Sequence, residues 1–212
     1  MSDALRIVPA NQAPWEDLQA VFGRRGSAAI CQCQRFKLQH RESFGSSPSE
    51  ERAIRLRAQT NAGDPEAGST SGMVAYFGGE PVGWCAVEPR PAYSGLLRVF
   101  RVPWVGRSED KTDESVWAVT CIFVRAGFRR RGIGRGLVSA AVKFARRRGA
   151  RAVEGYPMLT EPGDDITWGE VLVGTRSMFA GAEFTEVSRP SPRRVVMRID
   201  FQVPHEHEER HG

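Results

Sequence analysis

The chain has 212 residues, of which 41% are hydrophobic and 26% charged, and it carries a net charge of +5. That is the make-up of a soluble globular protein of one full domain, expected over residues 1–203 with a disordered tail over 204–212. The longest apolar run, "WAVTCIFV", is far short of the roughly 20 residues that cross a bilayer, and the first residues lack the basic-then-apolar layout of a secretory leader. The expected location is therefore the cytoplasm, with no membrane partner. Four cysteines (Cys31, Cys33, Cys85, Cys121) show no disulfide-framework spacing and read as reduced thiols.

In chain order, "LRIVP" (5–9) reads as a first strand and "APWEDLQAVFG" as a helix that sets Trp15, Leu18 and Phe22 on one face and stops at Gly23. "SSPSEERAIRLRAQTNAG" reads as a second helix. Ser47 and Glu50 have capping-box spacing, Pro48 suits the first helical position, and Asn61 and Gly63 supply the exit. "GMVAYF" and "PVGWCAV" form a hairpin around Gly78-Gly79. A polar, proline-containing segment, 89–114, then separates this hairpin from "VWAVTCIFV" (116–124). That run is β-branched and apolar throughout, as expected of a central strand covered on both faces.

Ile133, Leu137, Ala141, Phe144 and Ala145 recur at helical spacing, Gly149 ends that helix, and "ARAVEGYP" is a further strand. A loop over 160–170 leads to a short helix near 174–182, and "EFTEVSRPSPRRVVMRIDF" closes the chain as a strand pair. The order makes a mixed α/β domain, and the strand–helix–strand unit from Val116 to Pro157 should hold its two strands parallel.

Between strand and helix lies "VRAGFRRRGIGRGLV", with five arginines, four glycines and no acid. From Arg125 to Val153 there are ten basic residues and no acidic one, which calls for an anionic partner. A helix N-terminus offers unpaired N–H groups and a partial positive charge to a phosphate, and Gly132 and Gly134 let it approach the backbone. The P-loop pattern is absent, and "GIGRG" lacks both the glycine spacing and the acidic residue of the dinucleotide fingerprint. A solvated, arginine-rich turn that only caps the helix is the competing reading of the same residues.

What does fit is [RQ]-x-x-G-x-[GA] directly after a strand, here "RRRGIG" (Arg129, Gly132, Gly134). With its flanking strands and helix over 119–157, the sequence resembles the GNAT superfamily of acyl-CoA-dependent N-acetyltransferases. The resemblance implies a central, twisted, mostly antiparallel sheet with a parallel splay at the coenzyme site. It implies that acetyl-CoA is the cosubstrate and that no metal is used. It places the coenzyme's pyrophosphate on Arg129, Arg130, Arg131, Gly132, Ile133, Gly134 and Arg135, and its pantetheine arm along Ile122, Phe123 and Val124. A backbone N–H near Val124 would hold the developing oxyanion. Late strands of this fold often pair between subunits, so a homodimer is an open expectation.

Transfer to an amine also needs a base, and a proton for the leaving thiolate. The family's strand glutamate is matched here by Ala118 and its late-helix tyrosine by Phe179, while Glu183 replaces a usual glycine. Glu154 and Tyr156, two apart on the strand after the helix, are the remaining candidates for base and acid. Glu154 reads equally as a partner for the surrounding arginines, and Tyr156 as a half-buried strand aromatic. Cys121 reads as a small core residue, and the four cysteines lack the spacing of a zinc site. Cys31 to Gln39 are a candidate wall of the acceptor pocket. "SEDKTDE", with Glu109, Asp110, Asp113 and Glu114, would draw a cationic amine or stand as a solvated loop.

Three functions follow. The first is acetyl transfer from acetyl-CoA to a primary amine of a small molecule or protein. The second is a coenzyme-binding module without turnover, consistent with the missing acid and base. The third is nucleic-acid binding, disfavoured because Phe128 is the sole aromatic near the arginines.

Overall fold

The computed structural model describes residues 4–98, 102–159 and 172–201. Its centre is a seven-stranded sheet: β1 (Leu5–Pro9), β2 (Gly72–Phe77), β3 (Glu80–Pro89), β4 (Val116–Val124), β5 (Ala152–Gly155), β6 (Thr185–Ser191) and β7 (Arg194–Asp200). The order is β1-β2-β3-β4-β5-β7-β6, antiparallel throughout except for the parallel pair β4–β5. Gly78 and Gly79, both at positive φ, close the β2–β3 hairpin as expected of a two-glycine turn.

Helices cover both faces. α1 (Trp15–Phe22) buries Leu18, Val21 and Phe22 against Val74, Trp84 and Ala86, each large side chain gaining about 1.5–3 kcal/mol from leaving water. α2 (Gly26–Cys31) and α3 (Ser49–Thr60) lie near it. α4 (Ser94–Arg98) follows β3. On the opposite face α5 (Ile133–Arg147) buries Leu137, Val138, Ala141 and Phe144 against the sheet, and α6 (Arg176–Ala180) precedes β6.

Several expectations change in detail. No capping box forms at α3: Pro48 is the N-cap, and the Ser47 carbonyl accepts from Arg52 at 2.6 Å. Arg52 is buried and also donates to the carbonyls of Ile30 and Phe44 at 2.7 and 2.8 Å, so it ties α2 and its following loop to α3. The segment 89–114 is no bare spacer. Tyr93, Leu96 and Trp104 from it form a third core with Ala118, Tyr156 and Val196. The expected strand 150–157 is hydrogen-bonded as a strand only over β5. The expected loop 160–170 and tail 204–212 lie outside the described residues.

One irregularity positions everything that follows. Val87 faces Val119 while Ala86 faces Cys121, so Thr120 is an extra residue on β4, a β-bulge. The bulge resets the side-chain alternation. Trp117, Val119 and Ile122 lie in the core under α5, whereas Ala118, Cys121 and Phe123 face the other side. Pairing with β5 ends at Val119↔Gly155, and β4 runs on to Val124 with β3 as its strand partner. The two parallel strands therefore part just past the bulge.

Candidate active site

Where the strands part, a cleft of about 630 Å³ opens. Ile122, Phe123 and Val124 form its floor, and the loop leading into α5 forms one side. Gly132 is the N-cap of α5, with φ of 78°, no side-chain cap, and no acidic residue in the first turn. The first intrahelical bond runs from the Gly136 N–H to the Gly132 carbonyl at 2.9 Å, which leaves the N–H groups of Ile133, Gly134 and Arg135 without a helical acceptor. All three residues line the cleft. A bare 15-residue helix terminus is a seat for an anion.

The two glycines of the motif differ. A Cβ on Gly132 would meet nothing within 4 Å, whereas one on Gly134 would lie 3.1 Å from the thioether of Met178. Gly132 is thus the open position, and Gly134 is roofed by α6. Arg129, Arg130 and Arg135 line the cleft, with Arg129 also donating to the Val124 carbonyl at 3.2 Å. Arg131 does not line it: its guanidinium lies over the rings of Phe77 and Phe128, 5.4 and 5.8 Å from their centres. Arg25, which the sequence did not suggest, adds a cation from the N-terminus of α2. On the strand edge, the Ile122 N–H already donates to the Leu172 carbonyl at 2.6 Å.

A second cavity of about 390 Å³ lies next to the first, lined among others by Cys31, Cys33, Phe36, Thr120, Cys121 and Tyr156. Ser27 and Leu172 border both. Because of the bulge, Thr120 and Cys121 look into this cavity while Ile122 looks into the cleft. The two spaces meet at one short stretch of β4. Burial pushes the Cys31 thiol up to about 11 and Cys33 well above the usual range, so both are neutral walls rather than nucleophiles.

A family model for the acetyltransferase (GNAT) family matches residues 33–156. The chain belongs to this family. Solved structures share the GNAT fold with it at low identity. The Salmonella typhimurium protein yncA, assigned as an acetyltransferase and solved with its cofactor acetyl-CoA, is 14% identical, with TM-score 0.53 over 97% of this chain and 96% of its own. A GCN5-related N-acetyltransferase from Kribbella flavida is 16% identical, with TM-score 0.50 over 93% and 98%. The ribosomal-protein-alanine N-acetyltransferase of Brucella melitensis is also 16% identical, with TM-score 0.50 over 93% and 99%. No curated protein matches in sequence.

Within this GNAT fold the structure places the expected base and acid, Glu154 and Tyr156, against a buried ion network. Glu154 is fully buried, and its Oε1 accepts from Arg107, Arg198 and Arg90 at 2.5, 2.9 and 3.3 Å. Its Oε2 accepts from the Tyr156 hydroxyl at 3.0 Å. Glu154 does not line the second cavity, and both its oxygens are engaged. Tyr156 does line it, but burial and then the Glu154 charge hold its hydroxyl well above the ordinary tyrosine range. Ala118 faces the apolar cluster of Tyr93, Leu96 and Trp104. Phe179 is fully buried with its ring edge-on to Phe184, 5.1 Å between centres.

The acidic loop is likewise occupied. Glu109 accepts from Arg90 and Arg107 at 2.8 and 2.5 Å, Asp110 holds Thr112, and Asp113 holds Ser115 and Arg151. The Asp113–Arg151 pair fastens the segment after β3 to the turn between α5 and β5, and the other pairs hold the segment to itself. Among the described residues no group of three or more His, Cys, Asp or Glu side chains is arranged to hold a metal. No helix there is long and apolar enough to cross a membrane.

Proposed function

We propose that the protein transfers the acetyl group of acetyl-CoA to a primary amine seated in the second cavity, by direct attack of the amine on the thioester. The observation that carries this reading is the meeting of the two cavities at the β4 bulge. One space offers a bare helix N-terminus, arginines and the part of β4 beyond its pairing with β5. The other offers a largely apolar pocket one residue away along the chain.

In this reading the N–H groups of Ile133, Gly134 and Arg135 receive the pyrophosphate, with Arg129, Arg130, Arg135 and Arg25 adding charge. The pantetheine arm lies along Phe123 and Val124. At Ile122 it displaces the Leu172 carbonyl or passes beside it. The carbonyl to be attacked reaches the bulge, where holding two reactants in line supplies much of the rate. Arg131, stacked on its aromatics, holds the loop in shape.

Glu154 is read as the pin of a buried ion network, because three guanidiniums stabilise its charged form and block its oxygens. Tyr156 is read as a cavity wall. A tyrosine held above its ordinary range would give its proton uphill to a thiolate, because thiols are stronger acids than phenols. A thiolate is a weak enough base to leave without a dedicated acid.

The test is release of free CoA thiol from acetyl-CoA across a panel of α-amino acids, tripeptides with free N-termini, and diamines. Turnover on at least one class supports the reading. Thermal stabilisation by acetyl-CoA with no turnover on any class would leave a coenzyme-binding module instead.

A further inference from the structure

The walls of the second cavity limit which amines it can take. Among the described residues that line it, Arg35 and Arg194 carry the charge, and no Asp, Glu, Lys or His is present. Arg35 belongs to the turn after α2 and is exposed, while Arg194 opens β7 and is half-buried. Thr120 and Cys121, at the β4 bulge where the two cavities meet, are both buried. The cavity thus has a neutral inner end and two guanidiniums nearer the solvent. Much of the remaining wall is apolar, including Ile30, Phe36, Phe44, Pro190 and Val196. Phe44 is backed by Arg52, whose guanidinium lies 4.4 Å from its ring centre.

The acids that would draw a cationic amine are engaged inside the fold. Glu109 accepts from Arg90 and Arg107, and Asp113 from Arg151. Glu88 is paired with Lys37, and Glu154 with three arginines. The Tyr156 hydroxyl, on the cavity wall, donates to Glu154 and so offers the cavity no carboxylate either.

We propose that the acceptor is a small apolar amino acid, whose carboxylate is held by Arg35 and Arg194 so that its amine faces the thioester. The inference rests on the acetyl-transfer reading and names its substrate class. A guanidinium offers five N–H donors in a planar fork, so it can serve a neighbour within the fold and a ligand carboxylate together. A second ammonium, as in a diamine, would meet two guanidiniums with no carboxylate from the described wall, and like charges beside apolar surface repel strongly. At about 390 Å³ the cavity stands at the small end of ligand sites, which suits a free amino acid better than a protein segment. In the transfer the ammonium first loses a proton to solvent. The nitrogen then bonds to the acetyl carbon as the C–S bond breaks, and its second proton ends on the CoA sulfur. The products are an N-acetyl amino acid and CoA.

The experiment follows CoA thiol release with leucine, phenylalanine, their carboxamides and putrescine, in wild type, Arg35→Gln and Arg194→Gln. Each carboxamide keeps the apolar body and has the more acidic ammonium, because the carboxylate that steadies the charged form is gone. On amine reactivity alone it would be the better acceptor. Wild type should instead favour the amino acid over its carboxamide by about 10- to 100-fold in kcat/KM, as expected of a charge-assisted hydrogen bond, and should leave putrescine far behind. Each arginine variant should lower that ratio about 10-fold, chiefly through KM, while acetyl-CoA still raises its melting temperature. A general loss of fold or rate would not move the ratio. If one variant fails to fold, the other and the wild-type ratio decide. A wild-type ratio at or below one, or a ratio unchanged in the variants, would overturn the inference and leave the transfer standing. Turnover only on acceptors other than apolar amino acids would do the same. Wild type that binds acetyl-CoA but turns over no amine of the wider panel would overturn the transfer reading itself.

Discussion

The ring of Phe179 lies directly on Gly155: a Cβ at that glycine would stand 2.1 Å from the ring's Cε1. Gly155 is also the last residue of β5 paired with β4, so this contact sits where the strands begin to part. Gly155→Ala should overpack the core and cost about 1–3 kcal/mol in urea unfolding. Adding Phe179→Leu should recover part of the loss. An unchanged midpoint would mean the ring moves aside freely.

Glu154→Gln should destabilise the fold by about 3–5 kcal/mol, because Arg90 and Arg107 would stay buried beside a neutral amide. Urea unfolding at constant pH reads this directly. A variant of native stability that lost only its rate would restore Glu154 as the base.

Stability should fall in acid. Hydrogen bonds from Ser115, then from Arg151, hold the Asp113 carboxyl below the usual range. At Glu109 the bonds from Arg90 and Arg107 outweigh burial and do the same. A group depressed in the fold contributes stability above its unfolded pKa, near 4, and that contribution is lost as pH falls through the lower folded value. The urea midpoint should therefore drop from about pH 5 downward. Asp113→Asn should flatten that drop and cost at most about 1 kcal/mol at neutral pH, since Asp113 is solvent-screened. A midpoint flat down to pH 2 would contradict the pairing.

What was legible in the sequence is what local pattern dictates. The β2–β3 hairpin follows from two adjacent glycines, β4 from an unbroken apolar run, and α5 with its bare start from helical spacing behind Gly132. α2 was not legible, because six residues are too few to show a period. The segment after β3 looked like a polar spacer, since the purpose of Arg90 is an ion pair with a carboxylate 64 residues away. Glu154 was visible as an acid on a strand, but its three guanidinium partners come from distant parts of the chain. Thr120 gave no sign of being a bulge, because the extra residue exists only relative to the register of β3.

The coenzyme seat is tested most directly by titrating acetyl-CoA into wild type and Gly132→Asp by calorimetry. Aspartate tolerates the left-handed backbone at this N-cap and has open space for its side chain, so the fold should persist. Its carboxylate would occupy the place of the pyrophosphate. Wild type should bind one acetyl-CoA per chain, and the variant should bind about 100-fold more weakly, roughly 2.7 kcal/mol, with a similar melting temperature. No binding by wild type, or equal binding by the two, would contradict the assignment of this cleft to the coenzyme.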